Sequence, residues 1–119
     1  MNRPIKFRAW DKEEQEMHGF ELRDALSTGI DFYDDDAPLM QFTGLLDKNG
    51  KEIYEGDVVK QVMYDTDKSW YEAEVIFNRG RFCLNTGTIP EDLIPELCEI
   101  IGNIYENPNL LQAGSKEGV

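Results

Sequence analysis

The chain carries 24 acids against 12 bases over 119 residues, a formal charge of −12. That field repels DNA, RNA and anionic lipid, so direct nucleic-acid contact and docking on a charged membrane are not expected. Two cysteines and a single histidine fall short of the four ligands of a structural zinc site, and no apolar run approaches the roughly 20 residues of a spanning helix.

The length fits one domain of two small lobes. Two Trp, five Tyr and six Phe supply a sizeable aromatic core for a chain this short, and they favour strands. Residues 1–10 contain no continuous apolar stretch, so no signal peptide is read and a cytoplasmic location is expected. Cys83 and Cys98 lie inside apolar strand-like runs without a C-x-x-C spacing, which reads as two reduced, buried thiols.

In chain order, Ile5–Trp10 alternates strictly, with Ile5, Phe7 and Ala9 on the expected core side and Lys6, Arg8 and Trp10 opposite. The polar stretch Asp11–Gln15 turns the chain, and Glu16–His18 returns as the second strand of a hairpin. Phe20, Leu22 and Leu26 fit one side of a short helix that Thr28-Gly29 would stop, followed by the acidic loop 31–38. Leu39–Phe42 reads as a short strand. Asp47-Lys48-Asn49-Gly50 is a reverse turn, and Glu55-Gly56-Asp57 a second one in which only glycine takes positive φ without strain. Residues 57–64 and 70–77 follow as strands joined by a loop at 65–69, with Tyr71, Ala73, Val75 and Phe77 inward. Asn78-Arg79-Gly80 turns into a strand that carries Phe82 and Leu84 on its inner side. Residues 90–94 resemble one helical turn capped by Thr88 and limited by Pro95. A last strand is expected over 97–105, and Ala113–Val119 has no core-forming pattern.

Hairpin spacing without an intervening helical pattern points to a mostly β fold, a small antiparallel barrel over 39–108 with an N-terminal hairpin lobe over 1–38. Together these make one domain over 1–112, with a disordered tail at 113–119.

Motifs that carry chemistry are few. There is no P-loop, dinucleotide-binding glycine pattern, nucleophile elbow or H-E-x-x-H. His18 has no positioned partner in the sequence and reads as a surface residue. The Asp34–Asp36 run lacks the glycine of a calcium loop and reads as solvated, with weak divalent-cation binding as the alternative. Glu55 and Asp57 could be a carboxylate pair on a turn, but Asp57 is better read as an acceptor of nearby backbone N–H groups. Lys6, Arg8 and Lys12 form the only modest basic patch.

Four ordered motifs carry a family resemblance: Lys6-Phe7-Arg8-Ala9-Trp10-Asp11; Met40-Gln41-Phe42-Thr43-Gly44-Leu45; the run from Asp47 to Val59; and Ile101-Gly102-Asn103-Ile104-Tyr105-Glu106-Asn107-Pro108. In this order they resemble the YopX family, small proteins encoded mainly by phages and prophages. The resemblance implies a β-rich fold with an N-terminal lobe and a small barrel of the Src-homology type, and members that assemble as oligomers. It implies no enzyme activity, cofactor or catalytic residues. The signature positions Trp10, Gly44, Gly50, Tyr54, Gly56, Asp57, Gly102, Asn103 and Tyr105 read as turn and packing residues.

The functional expectation is a phage accessory protein in the host bacterial cytoplasm that acts through protein contacts, with a host protein or with its own copies. Trp10, Tyr54 and Trp70 are the expected contact residues, since large rings on a solvent-assigned face call for a cover. Two alternatives stand beside it: an acidic mimic of DNA that binds a host nucleic-acid-binding protein, and a metal-dependent enzyme using Asp57 with Asp34–Asp36.

Overall fold

The alternation near the start folds as a hairpin of β1 (Lys6–Asp11) and β2 (Glu16–Glu21). Its turn is closed by Asp11, whose Oδ1 accepts the N–H groups of Glu13 and Glu14, each at 3.0 Å. The computed structural model describes residues 5–21, 23, 38–63, 66–87 and 89–112. β3 (Leu39–Leu46) and β4 (Glu52–Tyr54) add to this hairpin, giving an antiparallel four-stranded sheet of order β2-β1-β3-β4.

The second sheet is built from β5 (Asp57–Met63), β6 (Thr66–Asn78), β7 (Arg81–Asn85), β8 (Glu91–Asp92) and β9 (Cys98–Asn103), in the order β8-β7-β6-β5-β9. This sheet curls into a half-barrel. Its core is Val59, Ala73, Val75, Leu84 and Cys98, and the sixth member, Ile53, comes from β4 of the other sheet. Both sheets therefore share one core, to which β4 contributes Ile53.

The curl is held by a buried polar group. Gln61 on β5 is 3 % exposed, yet its side chain reaches β8 and the residues just after it, three strands away in the sheet order. Its Nε2 donates to the carbonyl of Asp92 at 3.0 Å, and its Oε1 accepts the N–H of Ile94 at 2.7 Å and the thiol of Cys98 at 3.1 Å. A flat sheet would put Asp92 and Ile94 out of reach. Cys83 and Cys98 are both buried and unpaired. Burial, with the charge of Asp47 nearby, pushes the Cys98 thiol up to about 12.

Several expectations are corrected. The N-terminal hairpin is not a separate lobe beside a 39–108 barrel, because β3 and β4 hydrogen-bond into its sheet. The two faces of β1 are exchanged: Trp10 is 6 % exposed while Ile5 is 52 % exposed. Lys6 and Arg8 tolerate the inner side because long stems bury and their charges find partners. Residues 90–94 form no helical turn; Glu91–Asp92 pairs with β7, and the 3-10 turn comes next, at Pro95–Leu97. Pro95 starts that turn rather than ending one, since its missing N–H is unneeded in a first turn. Phe20 lies in β2, and β6 already begins at Thr66, inside the expected loop. The last strand ends at Asn103, and a four-residue helix α1 (Asn109–Gln112) follows. The expected helix over Leu22 and Leu26, the loop at 31–37 and the tail at 113–119 lie outside the described residues. No helix of the described residues is long and apolar enough to cross a membrane.

Candidate functional site

The signature residues converge on the joint between the two sheets. The turn at Asp47 supplies the first tie. Its backbone carbonyl accepts Gly50 N at 3.0 Å, which closes the expected reverse turn. Its carboxylate, 5 % exposed, then does more: Oδ1 accepts Asn49 N at 2.8 Å and Lys51 N at 2.9 Å, and Oδ2 accepts Ile100 N of β9 at 3.0 Å. Lys48 N donates to the Cys98 carbonyl at 2.9 Å beside it. Burial works against the charge on Asp47, but the N–H groups of Ile100, Lys51 and Asn49 prevail and hold its carboxyl below the usual carboxylate value.

Asp57 is the second tie. It is 2 % exposed and faces Asn103 across the β5–β9 ladder. Oδ1 accepts Nη2 of Arg8 at 2.8 Å, and Oδ2 accepts Tyr54 N at 2.8 Å. The same Arg8 Nη2 donates to the Glu55 carbonyl at 3.2 Å, and the guanidinium sits 4.7 Å from the centre of the Tyr54 ring. Burial pushes the Asp57 carboxyl above its ordinary range, against the pull of Arg8 and of the Tyr54 N–H. Gly56, between Glu55 and Asp57, has φ +86°, and a Cβ there would stand 2.8 Å from Met40 Sδ. Glycine is thus required for both backbone and space.

Asn103 forms the third tie. Oδ1 accepts the N–H groups of Tyr105 at 3.0 Å and Glu106 at 2.8 Å, while Nδ2 donates to Glu106 Oε1 at 2.6 Å. The resulting turn brings Tyr105 back onto Trp10, with ring centres 6.1 Å apart and planes 18° from parallel. A Cβ on Gly102 would meet Asn107 Oδ1 at 2.5 Å and Leu110 Cδ1 at 2.7 Å. The glycine lets this turn pack directly on β9.

Between these ties lies a cleft of about 310 Å³, lined by Arg8, Lys51, Glu52, Asp57, Gly102 and Glu106 among others. Most of its charged side chains have partners: Arg8 pairs with Asp57, Glu52 with Lys6, and Glu106 accepts from Asn103. Among the described residues, no group of three or more His, Cys, Asp or Glu is placed to hold a metal ion. Asp34–Asp36 lies outside them. His18 is exposed, 3.8 Å from Asp11 Oδ2 and 3.7 Å from Glu16 Oε2. An acid-base step needs a proton acceptor aimed at open space; both Asp57 oxygens instead serve as struts.

The expected contact rings sit differently. Trp10 is covered within the chain by Tyr105 and is corrected as a contact residue. Tyr54 packs on Phe42, ring centres 5.3 Å apart, and under Arg8. Trp70 is part-buried under Lys60, whose Nζ is 4.6 Å from the ring centre. It pairs opposite Val62 and does not join the other two. Gly44 (φ +86°) lies in the irregular stretch of β3, and Gly50 (φ +83°) in the Asp47 turn. Sequence reasoning missed Arg8, Asp47 as a link between sheets, and Gln61. Only Asp47 had a local signal, an acid opening an Asn-Gly turn.

A family model described as YopX protein matches residues 24–112. No curated protein matches the chain. Among solved structures, protein EF1440 from Enterococcus faecalis is similar over 90 % of this chain and 97 % of its own, with 25 % identity and a TM-score of 0.59. Protein yopX from Bacillus subtilis is similar over 93 % of this chain and 97 % of its own, with 23 % identity and a TM-score of 0.61. The second likeness is one of fold.

Proposed function

The chain belongs to the YopX family, and from that premise we propose that it works by contact rather than by chemistry of its own. It serves as a phage or prophage accessory protein in the host cytoplasm, binding a host protein or assembling with its own copies. The half-barrel acts as a small Src-homology-like unit, a scaffold for surfaces. The observation that carries this is Asp57: the carboxylate that a hydrolytic role would use is 2 % exposed, with both oxygens bonded inside the frame.

The test uses the purified chain as bait for host lysate, with light scattering on the bait alone. Expected is capture of one host protein at stoichiometric level, or a mass above the monomer. Capture lost between about 50 and about 500 mM NaCl, with a nucleic-acid-binding protein as partner, would favour the acidic-mimic form. Strong thermal stabilisation by Mg²⁺, Mn²⁺ or Ca²⁺ that Asp57→Asn abolishes would replace the proposal with the metal-dependent enzyme. A monomer that captures nothing and binds DNA directly would also refute it.

A further inference from the structure

The exchanged faces of β1 leave an apolar surface on the outside of the four-stranded sheet. Residues directly opposite in a ladder share a face. Phe7 stands opposite Phe20, and Ala9 lies between His18 on one side and Leu39 on the other. With Ile5, two positions before Phe7, this face carries Ile5, Phe7, Ala9, Phe20 and Leu39, with His18 and Gln41 as its polar members. Ile5 is 52 % and Leu39 53 % exposed, and Phe7, Ala9 and Phe20 are part-exposed. The rings of Phe7 and Phe20 stack with centres 5.9 Å apart, an aromatic pair at the middle of this platform.

The charge beside this platform is mainly negative. The hairpin turn at its end holds Asp11, Glu13, Glu14 and Glu16 against Lys12 alone, and Glu13, Glu14 and Glu16 are exposed. Across the whole chain the balance is −12. A second copy would bring the same acidic turn and the same net charge to the contact, which opposes pairing. A cationic partner meets attraction instead, both at long range and at the turn.

We propose that the outer face of β1, β2 and β3 docks a cationic amphipathic segment of a partner protein. Its apolar side lies on Ile5, Phe7, Phe20 and Leu39, and its Lys or Arg residues lie over the acidic turn. The inference rests on the contact role proposed above and gives that role a surface and a partner chemistry. Anchoring by a few apolar residues with a charged rim is the usual division of labour in such interfaces.

The test titrates the full, isotope-labelled chain with an amphipathic Lys/Leu peptide of about 18 residues, followed by amide chemical shifts. A Glu/Leu peptide and a Lys/Ser peptide of equal length serve as controls. Expected are shifts confined to β1, β2 and β3, weaker binding as salt rises, and no shifts with either control. The double variant Ile5→Gln, Leu39→Gln changes two exposed side chains and keeps the fold; it should weaken binding by about tenfold or more. Equal binding of the Lys/Ser peptide, shifts elsewhere, or full affinity in the double variant would overturn the inference. Broadening of the same amides with protein concentration alone would assign the face to a second copy and overturn it too. Failure of the peptide while the chain still captures a host protein would remove this surface and leave the contact role standing; failure of both would remove both.

Discussion

Replacing Asp47 by Ala removes one small side chain and three bonds at once. Those bonds run to Asn49 N, Lys51 N and Ile100 N at 2.8, 2.9 and 3.0 Å, from a carboxylate 5 % exposed. Hydrogen bonds to a charged group contribute about 1.5–3 kcal/mol each in net terms. Against them stands the cost of burying the charge, several kcal/mol for an ion removed from water. The N–H of Ile100, left part-buried without its acceptor, adds roughly 1–3 kcal/mol of penalty to the variant. The net expectation is a loss of about 3–5 kcal/mol, a large share of the roughly 5–15 kcal/mol that holds a domain of this size. Urea unfolding at neutral pH measures it. The pH dependence checks the cause. Asp47 has a carboxyl below its ordinary value when folded, so its contribution is complete above the unfolded carboxylate range, near pH 4. It is lost as pH falls through the folded value. The gap between wild type and Asp47→Ala should therefore narrow on moving from pH 7 towards pH 3. A loss under about 1 kcal/mol at pH 7, or a gap that does not narrow in acid, would refute the assignment of Asp47 as a tie between the sheets.

Other variants probe the remaining joints. Arg8→Met strands Asp57 as a buried charge without its partner and should cost about 3–5 kcal/mol in urea unfolding. Gly102→Ala drives a Cβ into Asn107 and Leu110; with Trp70→Phe as background, it should lift Tyr105 off Trp10 and red-shift the remaining indole emission. Gln61→Ala leaves the buried seam without acceptor or donor for Ile94 N and the Asp92 carbonyl. It should lower stability by roughly 1–3 kcal/mol and speed amide exchange at Ile94.

What was legible in the sequence was local. Ala73, Val75 and Leu84 are fully buried on the faces that alternation assigned, because period two is the strand's own geometry, while Phe77, expected inward at the end of the same column, is 50 % exposed. The turns at Asp47–Gly50, Glu55–Asp57 and Asn78–Gly80 hold, since positive φ at Gly50, Gly56 and Gly80 is what glycine provides. Which face is inside was not legible for β1, where both columns carry apolar atoms. Period two separates faces but does not name the buried one. Trp10 goes inward because Tyr105, ninety-five residues on, returns to meet it. Sheet membership was equally hidden: β3 pairs with β1 rather than joining a barrel of its own, and nothing in Leu39–Leu46 specifies that neighbour. The joint was written in the motifs yet not decodable from them. Arg8 and Asp57 are forty-nine positions apart, and neither signals the other.

The frame role of the signature is tested most directly by removing its buried charge pair altogether. Arg8→Met with Asp57→Asn takes out both charges while leaving an amide oxygen for the Tyr54 N–H. Replacing a buried ion pair by neutral groups of similar volume is often nearly neutral for stability. The measurement is host-protein capture by this double variant beside wild type, on material shown to be folded by circular dichroism. Retained capture, within about twofold of wild type, is the expected result for residues that hold the sheets together without touching the partner. Loss of capture, or loss of a metal-dependent activity, in a double variant that is fully folded would contradict it.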